Sequence, residues 1–282
     1  MYTPSQLQEL SSRIHQDIDA ATRSELVEER RTHLGASEVG EDCLRQIWYR
    51  WRWIKAQVFD ASMLRLFNRG HLEEPRFIRW LSAAGWKIQP INPQTGKQWV
   101  FAEHGGHYGG STDGVAWHPV YFPQEYIILE FKTHNQKSFE KLVKEGVQKS
   151  KPKHYAQMSN YGAKFNCRYG LYVATNKNTD KIHPEVVALN SELASGLTER
   201  ARYVITANQP PPRMASASPT FYKCKSCEML GVCYYRELPD KNCRSCKFAV
   251  AADNAEWYCQ GWRSNIPKDV IPVGCENYRS IV

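Results

Sequence analysis

Asp113, Glu130 and Lys132 are the residues whose types and spacing most directly suggest chemistry. Asp113 lies in the glycine-rich run G-G-S-T-D-G-V, and Glu130 and Lys132 lie in Y-I-I-L-E-F-K. The second run, Tyr126 to Lys132, is rich in β-branched and aromatic residues and predicts a strand. Side chains alternate along a strand, so Glu130 and Lys132 share a face while Leu129 and Phe131 are expected in the core. Two carboxylates close together would hold a hard divalent cation through oxygen. Such a cation polarises a phosphate and lowers the pKa of a bound water. A neighbouring lysine would orient that water or steady charge developing on the phosphate. The plain alternative for an E-x-K pair is a solvated strand face with a weak ion pair.

The flanking sequence supplies the elements that would position these groups. Residues 61 to 84 carry Met63, Leu66, Phe67, Phe77, Ile78 and Leu81 at helical spacing, around R-G-H-L-E-E-P. Upstream, residues 1 to about 34 are polar with a helical look. Ser37 and Asp42 are expected as helix caps, and Cys43 opens a helix that interleaves Arg45, Arg50 and Arg52 with Trp48, Tyr49, Trp51 and Trp53. That mixture suits phosphates and unpaired bases. It equally suits a helix with an aromatic core face and an arginine outer face. Trp86 to Ile91 and Lys97 to Ala102 read as strands around N-P-Q-T-G. Gly109, Gly110 and Gly114 mark either close approach to a ligand or tight strand bends. His104 and His107 are expected to be solvated loop residues.

After the E-x-K strand, Thr133 to Ser150 reads as a mobile, lysine-rich helix or loop. Lys137, Lys141, Lys144, Lys149, Lys151 and Lys153 would meet phosphates or simply solvent. Pro152 starts a helix that places Lys153, Gln157 and Tyr161 on one stripe. Tyr169 to Thr175 and Val186 to Leu189 read as strands, and Ser191 to Ala207 as a helix. This alternation predicts an α/β fold. Gln209 to Thr220, Q-P-P-P-R-M-A-S-A-S-P-T, is a linker by composition.

A chain of 282 residues, 42% hydrophobic, can bury a substantial core. A net charge of +8 favours an anionic partner, with nucleic acid the first candidate. No run approaches the roughly 18 apolar residues of a membrane helix. The opening M-Y-T-P-S-Q-L-Q-E-L has no secretory pattern, so a cytoplasmic protein is expected. In a reducing compartment the nine cysteines are not expected to form disulfides, and their spacing argues for metal instead. Cys224, Cys227 and Cys233 are three close thiols that need a fourth, and Cys43 is the natural one. Cys243, Cys246, Cys259 and Cys275 lie in a segment too short for its own core and read as a structural zinc module. Other partitions of these eight would keep two sites and change their membership. Cys167 is left over as a buried free thiol.

The order of these motifs resembles the PD-(D/E)XK nuclease superfamily, with Thr112 in place of the proline. The S-T-D-G-V and L-E-F-K pieces are most similar to its RecB-like and lambda-exonuclease-like branches. In that resemblance G-x-x-x-E-P, here Gly70 to Pro75, makes Glu74 a further metal ligand, as in YqaJ-like nucleases; His71 is the alternative, as in many RecB-like enzymes. Q-x-x-x-Y, here Gln157 and Tyr161, resembles the pair thought to bind the DNA backbone. One distant cysteine plus C-x2-C-x5-C resembles the iron–sulfur arrangement of RecB-like exonucleases, which implies a [4Fe–4S] cluster on Cys43, Cys224, Cys227 and Cys233. Zinc on the same four thiolates is the runner-up. The cluster would clip the C-terminal segment to the N-terminal helix.

The resemblance implies an α/β nuclease core, a central mixed sheet flanked by helices, over residues 1–208. A linker and iron–sulfur segment over 209–239 and a four-cysteine zinc-type module over 240–282 follow. The implied activity is Mg²⁺- or Mn²⁺-dependent exonucleolytic hydrolysis of DNA in recombination, repair or viral DNA processing. Glu74, Asp113 and Glu130 would hold the ion, with the backbone carbonyl of Phe131 as a further ligand. Lys132 would orient the attacking water, and Gln157, Tyr161 and Lys153 would contact the DNA. A recombination or replication protein is a second partner to expect. The competing readings are a nuclease-like scaffold that binds DNA or protein without cutting, and a C-terminal cysteine module that is the main DNA reader.

Overall fold

The computed structural model describes residues 2–26 and 30–282. The chain begins with α1 (Pro4–Glu25), started by a capping box between Thr3 and Gln6 with Pro4 in the first turn. Then come β1 (Leu34–Gly35), α2 (Leu44–Trp51) and α3 (Ala61–Ala83). Strands β2 (Lys87–Gln89), β3 (Ile91–Asn92), β4 (Lys97–Gln98), β5 (Val100–Glu103), β6 (Tyr108–Ser111), β7 (Val115–His118) and β8 (Phe122–His134) follow. Two helices, α4 (Gln136–Ser150) and α5 (Pro152–Phe165), lead to β9 (Tyr169–Asn176), β10 (Ile182–Ala188) and α6 (Ser191–Thr206). The C-terminal part contains short α7 (Tyr222–Lys225) and α8 (Leu230–Tyr234), then β11 (Ala249–Ala251), β12 (Trp257–Cys259) and β13 (Ser264–Asn265).

This is a mixed α/β architecture. The central sheet has five strands in the order β10-β9-β8-β7-β2, with β8 and β9 parallel and their other neighbours antiparallel. The predicted strand around Glu130 is longer than Tyr126–Lys132, because β8, between β7 and β9, pairs with β7 back to Phe122 and with β9 on to His134. Ile127, Leu129 and Phe131 pack against Phe77 of α3 and Ala116, Leu171 and Val173, forming one core layer. On the other face of β9, Tyr172 and Ala174 pack with Leu142 of α4 and Met158 of α5. The largest cluster lies elsewhere. It gathers Trp48, Trp51 and Trp53 with Leu197, Val204 and Met229, and with Cys243, Ala249, Trp257 and Ile271 near the C-terminus.

Several local expectations are corrected. Neither Ser37 nor Asp42 caps a helix: Cys43 is the N-cap of α2 and no side chain caps it. The predicted aromatic–arginine helix ends at Trp51, and its arginines serve packing. Arg45 bonds Tyr49 and the carbonyl of Pro211, Arg50 pairs with Glu228, and Arg52 is buried. In α3, Phe77 is buried but Met63 and Leu66 are exposed, since this end of the helix borders a cleft and not the sheet. Thr133–Ser150 is a helix from Gln136 with a kink at Gly146, where the backbone turns to φ 74°. His107 is buried, not solvated, because its Nε2 meets the carbonyls of Ala252 and Glu256. The second strand near Val186–Leu189 begins earlier, at Ile182, where it pairs with Thr175.

Candidate active site

The approach to Asp113 is shaped by two glycines. A Cβ on Gly110 would sit 2.8 Å from the Tyr161 hydroxyl and 2.9 Å from Ala36, so its bareness serves packing around Tyr161. Gly114 has φ +139°, a backbone that side chains disfavour, and it turns the chain immediately after Asp113. The Thr112 hydroxyl donates to the carbonyls of Gly114 (3.2 Å) and Leu129 (3.0 Å), which pins this turn to β8. Asp113 Oδ2 then accepts a 2.6 Å hydrogen bond from the backbone N–H of Phe131. The Asp113 side chain is thus tied to the β8 backbone at the residue next to Glu130.

Glu130 is fully buried and lies opposite Tyr172 of β9. Strand alternation does place it and Lys132 on one face, and the Lys132 ammonium forms an ion pair with Glu130 Oε1. Beyond that contact, neither Glu130 oxygen has a well-formed hydrogen bond among the described residues. A buried carboxylate without donors is costly, and a cation is one way to relieve it. Burial pushes the Glu130 carboxyl up to about 7; Lys132 pulls it down, while Asp113 and Glu74 push it up. Burial works against the Lys132 ammonium, but Glu130, Asp113 and Glu74 outweigh it and hold its pKa above the usual lysine value.

Helix α3 brings Glu74 within electrostatic reach of Asp113 and Lys132. Its carboxyl is raised by burial and by Asp113, and lowered by His71 and Lys132. Glu73 beside it is buried, and Arg76 takes one of its oxygens at 2.8 Å while the other has no partner. Pro75 lacks the N–H that would bond the His71 carbonyl, which loosens the helix beside these acids. Tyr161 of α5 is also here. Its hydroxyl pKa is raised by burial and by Glu130, so it stays a neutral donor, and Gln157 Nε2 lies 3.5 Å from it. Lys153, further along the stripe, is turned to Glu41 at 2.5 Å.

Phe131, Lys132, His71, Glu73 and Glu74 line one part of a cleft of about 890 Å³, whose lining does not include Asp113, Glu130, Gln157 or Tyr161. The facing wall carries Arg30, Arg31, His33, Arg50 and Lys55 with Trp51 and Trp53. Cations therefore outnumber acids around it, which suits a phosphate-bearing chain.

Three residues near the centre escaped the sequence reading. His134 Nε2 and His154 Nδ1 both lie 2.8 Å from the Tyr172 hydroxyl, and His134 Nδ1 lies 3.3 Å from Ser138 Oγ. Burial, followed by Lys151 and Lys132, lowers His134 to about 4; burial, followed by Lys132, lowers His154 to about 2. The available signal was alternation: His134 follows Lys132 by two on one strand, and His154 precedes Gln157 by three on one helix.

The cysteines gather in two places. Cys43, Cys224, Cys227 and Cys233 line one small cavity. Cys243, Cys246, Cys259 and Cys275 line another, of about 470 Å³. Burial raises the Cys243 thiol to about 11, and Cys275, Cys246 and Cys259 add to that by proximity. Cys167 is buried apart from both sets. Among the described residues, no group of three or more His, Cys, Asp or Glu side chains is placed so that it could hold a metal ion, neither the expected Glu74, Asp113 and Glu130 nor either set of four cysteines. Among them, too, no helix is long and apolar enough to cross a membrane.

No family model matches the chain. No curated protein is similar to it in sequence. Among solved structures it is similar to the protein SSO0001, at 16% identity over 78% of this chain and 96% of that one, with a TM-score of 0.43. It is also similar to the alkaline exonuclease LHK-Exo from Laribacter hongkongensis, at 16% identity over 67% and 90%, with a TM-score of 0.45. The same exonuclease in complex with dAMP gives 15% identity over 62% and 87%, with a TM-score of 0.45.

Proposed function

We propose that this chain is a Mg²⁺- or Mn²⁺-dependent nuclease that hydrolyses phosphodiester bonds in DNA, acting as an exonuclease. The observation that carries the reading is the buried, donor-poor carboxylate of Glu130, paired with Lys132 and flanked by Asp113 and Glu74 at a basic cleft. An all-oxygen donor set beside an orphaned carboxylate suits a hard divalent ion. Glu74, Asp113 and Glu130 would hold it, with the Phe131 carbonyl as a further donor. When bound, such an ion polarises the scissile phosphate and makes a water more acidic.

The remaining work falls to the chain's own groups. Glu130 anchors the Lys132 ammonium, whose partly exposed end faces the cleft. From there Lys132 holds the attacking water or offsets charge on a phosphate oxygen. Tyr161 and Gln157 are neutral donors that grip the backbone next to the cut. Arg30, Arg31 and Lys55 hold the phosphates beyond it.

The thiol sets fit soft metals by donor chemistry, since four cysteines face each cavity. Cys43, Cys224, Cys227 and Cys233 would hold a [4Fe–4S] cluster, joining α2 to the segment after the linker. Cys243, Cys246, Cys259 and Cys275 would hold zinc. Both would be structural.

The test is digestion of an end-labelled linear duplex by the wild-type protein with and without Mn²⁺. Mn²⁺-dependent release of short products from an end supports the reading. Retained binding without cleavage would replace it with a non-cutting DNA-binding module.

A further inference from the structure

Arg244 is fully buried far along the chain, yet its guanidinium lies over Trp53 at 4.5 Å, Trp257 at 4.8 Å and Trp51 at 5.4 Å. Its Nη1 donates to the Thr32 carbonyl at 2.9 Å, while among the described residues Nε and Nη2 have no hydrogen-bond partner. Among the described residues no carboxylate pairs with it. Its lost hydration is replaced only by three indole faces and one carbonyl, the one that fixes Thr32.

The neighbours of Arg244 act in the same direction. Asn242 Nδ2 donates to the Trp53 carbonyl at 2.9 Å. The Asp240 N–H donates to the Ile54 carbonyl at 2.8 Å, and Asp240 Oδ2 accepts from the Ala56 N–H at 2.6 Å. Asp240, Asn242 and Arg244 therefore seize two distant backbone segments, residues 30–33 and 53–56. Those segments are also tied to each other: Trp53 Nε1 donates to the Arg31 carbonyl at 3.0 Å and Arg30 donates to the Trp53 carbonyl at 3.2 Å. They carry Arg30 and Arg31 of the cleft's cationic wall, with Lys55, which is paired to Glu237 at 2.5 Å and Asp240 at 3.5 Å, and His33, whose pKa burial lowers.

We infer that Arg244 is a positioning residue for the substrate: with Asn242 it holds the backbone that presents the cationic wall to a nucleic-acid strand. The inference rests on the nuclease reading for the identity of the substrate. Arg244 does not touch that substrate. It acts through Thr32 and Trp53, so its removal should loosen the wall and leave the Glu130–Lys132 pair intact.

The test compares wild type, Arg244→Met, Arg244→Lys and Asn242→Ala as full chains. Three readouts are taken: thermal unfolding, amide exchange, and affinity for a fluorescein-labelled DNA single strand in Ca²⁺. Arg244→Met removes a buried charge together with the Thr32 hydrogen bond and three cation–π contacts, so its unfolding is read only to confirm that the variant folds. It should bind the strand at least fivefold more weakly and exchange faster at residues 30–33 and 53–56, but not at 128–133. Arg244→Lys should restore part of the affinity. Should Arg244→Met fail to fold, Asn242→Ala decides on the same affinity and exchange readouts. Wild-type affinity, or exchange raised evenly through the chain, overturns the inference. Cleavage by wild type in Mn²⁺ is scored separately. Its absence would sink the nuclease reading while leaving these binding and exchange results to stand or fall alone.

Discussion

Asp113 Oδ2 accepts a 2.6 Å hydrogen bond from the backbone N–H of Phe131, the residue between Glu130 and Lys132. One carboxylate oxygen thus fixes the strand that carries the other acid. The two tasks separate by mutation. Asp113→Ala leaves a strand N–H without its acceptor and should cost roughly 1–3 kcal/mol of stability. Asp113→Asn keeps an acceptor and should stay near wild-type stability. Both should abolish hydrolysis of labelled DNA. Full activity in Asp113→Asn would show that its charge is not needed.

Lys132 is expected to act in the reaction more than in the fold. Without its ammonium, buried Glu130 takes a proton more readily and stays neutral, which limits the damage. Lys132→Met should therefore fold, and keep DNA affinity, but cut roughly 100- to 1,000-fold more slowly. Single-turnover cleavage at saturating enzyme measures this directly. A rate within a fewfold of wild type would remove Lys132 from the mechanism.

The buried histidines make stability depend on pH. Folding lowers His134 to about 4 and His154 to about 2, from about 6.5 in an unfolded chain. Depressed values mean the unfolded chain binds more protons, so this stabilisation is present above pH 6.5 and fades on acidification. Between pH 6.5 and 4 each histidine should contribute a slope of roughly 1.4 kcal/mol per pH unit. Denaturant unfolding at pH 7 and pH 5 should show the loss, and His154→Gln should flatten it. An unchanged pH slope in that variant would contradict the burial described for His154.

The two thiol sets should load independently. Anaerobically purified wild type should be brown, with about four irons per chain and one zinc. Cys43→Ser should lose the iron and keep the zinc; Cys246→Ser should do the reverse. Loss of both metals in either variant would mean that the eight thiols do not divide this way.

What was legible beforehand follows local pattern. The D…E-x-K order, the long β-branched strand and the Pro152 helix are written in neighbouring residues, and period-two alternation placed Glu130 beside Lys132. Burial of charge is not local. Arg52 and Arg244 look like surface arginines in sequence and are enclosed only because Trp48, Trp51, Trp53 and Trp257 converge from distant segments. The same limit hid His134, Tyr172 and His154, which meet across a strand and a helix. Helical spacing likewise overstated the core of α3: Met63 and Leu66 fall on the right face at the end where a cleft replaces the sheet.

The central claim is that Asp113, Glu130 and Glu74 share one divalent ion. The most direct measurement is calorimetric titration of Mn²⁺ into wild type and into Glu130→Gln, whose amide keeps the shape and loses the charge. Wild type should bind Mn²⁺ and Glu130→Gln should bind it at least tenfold more weakly, a change of about 1.4 kcal/mol. Equal binding by the two proteins would contradict the account.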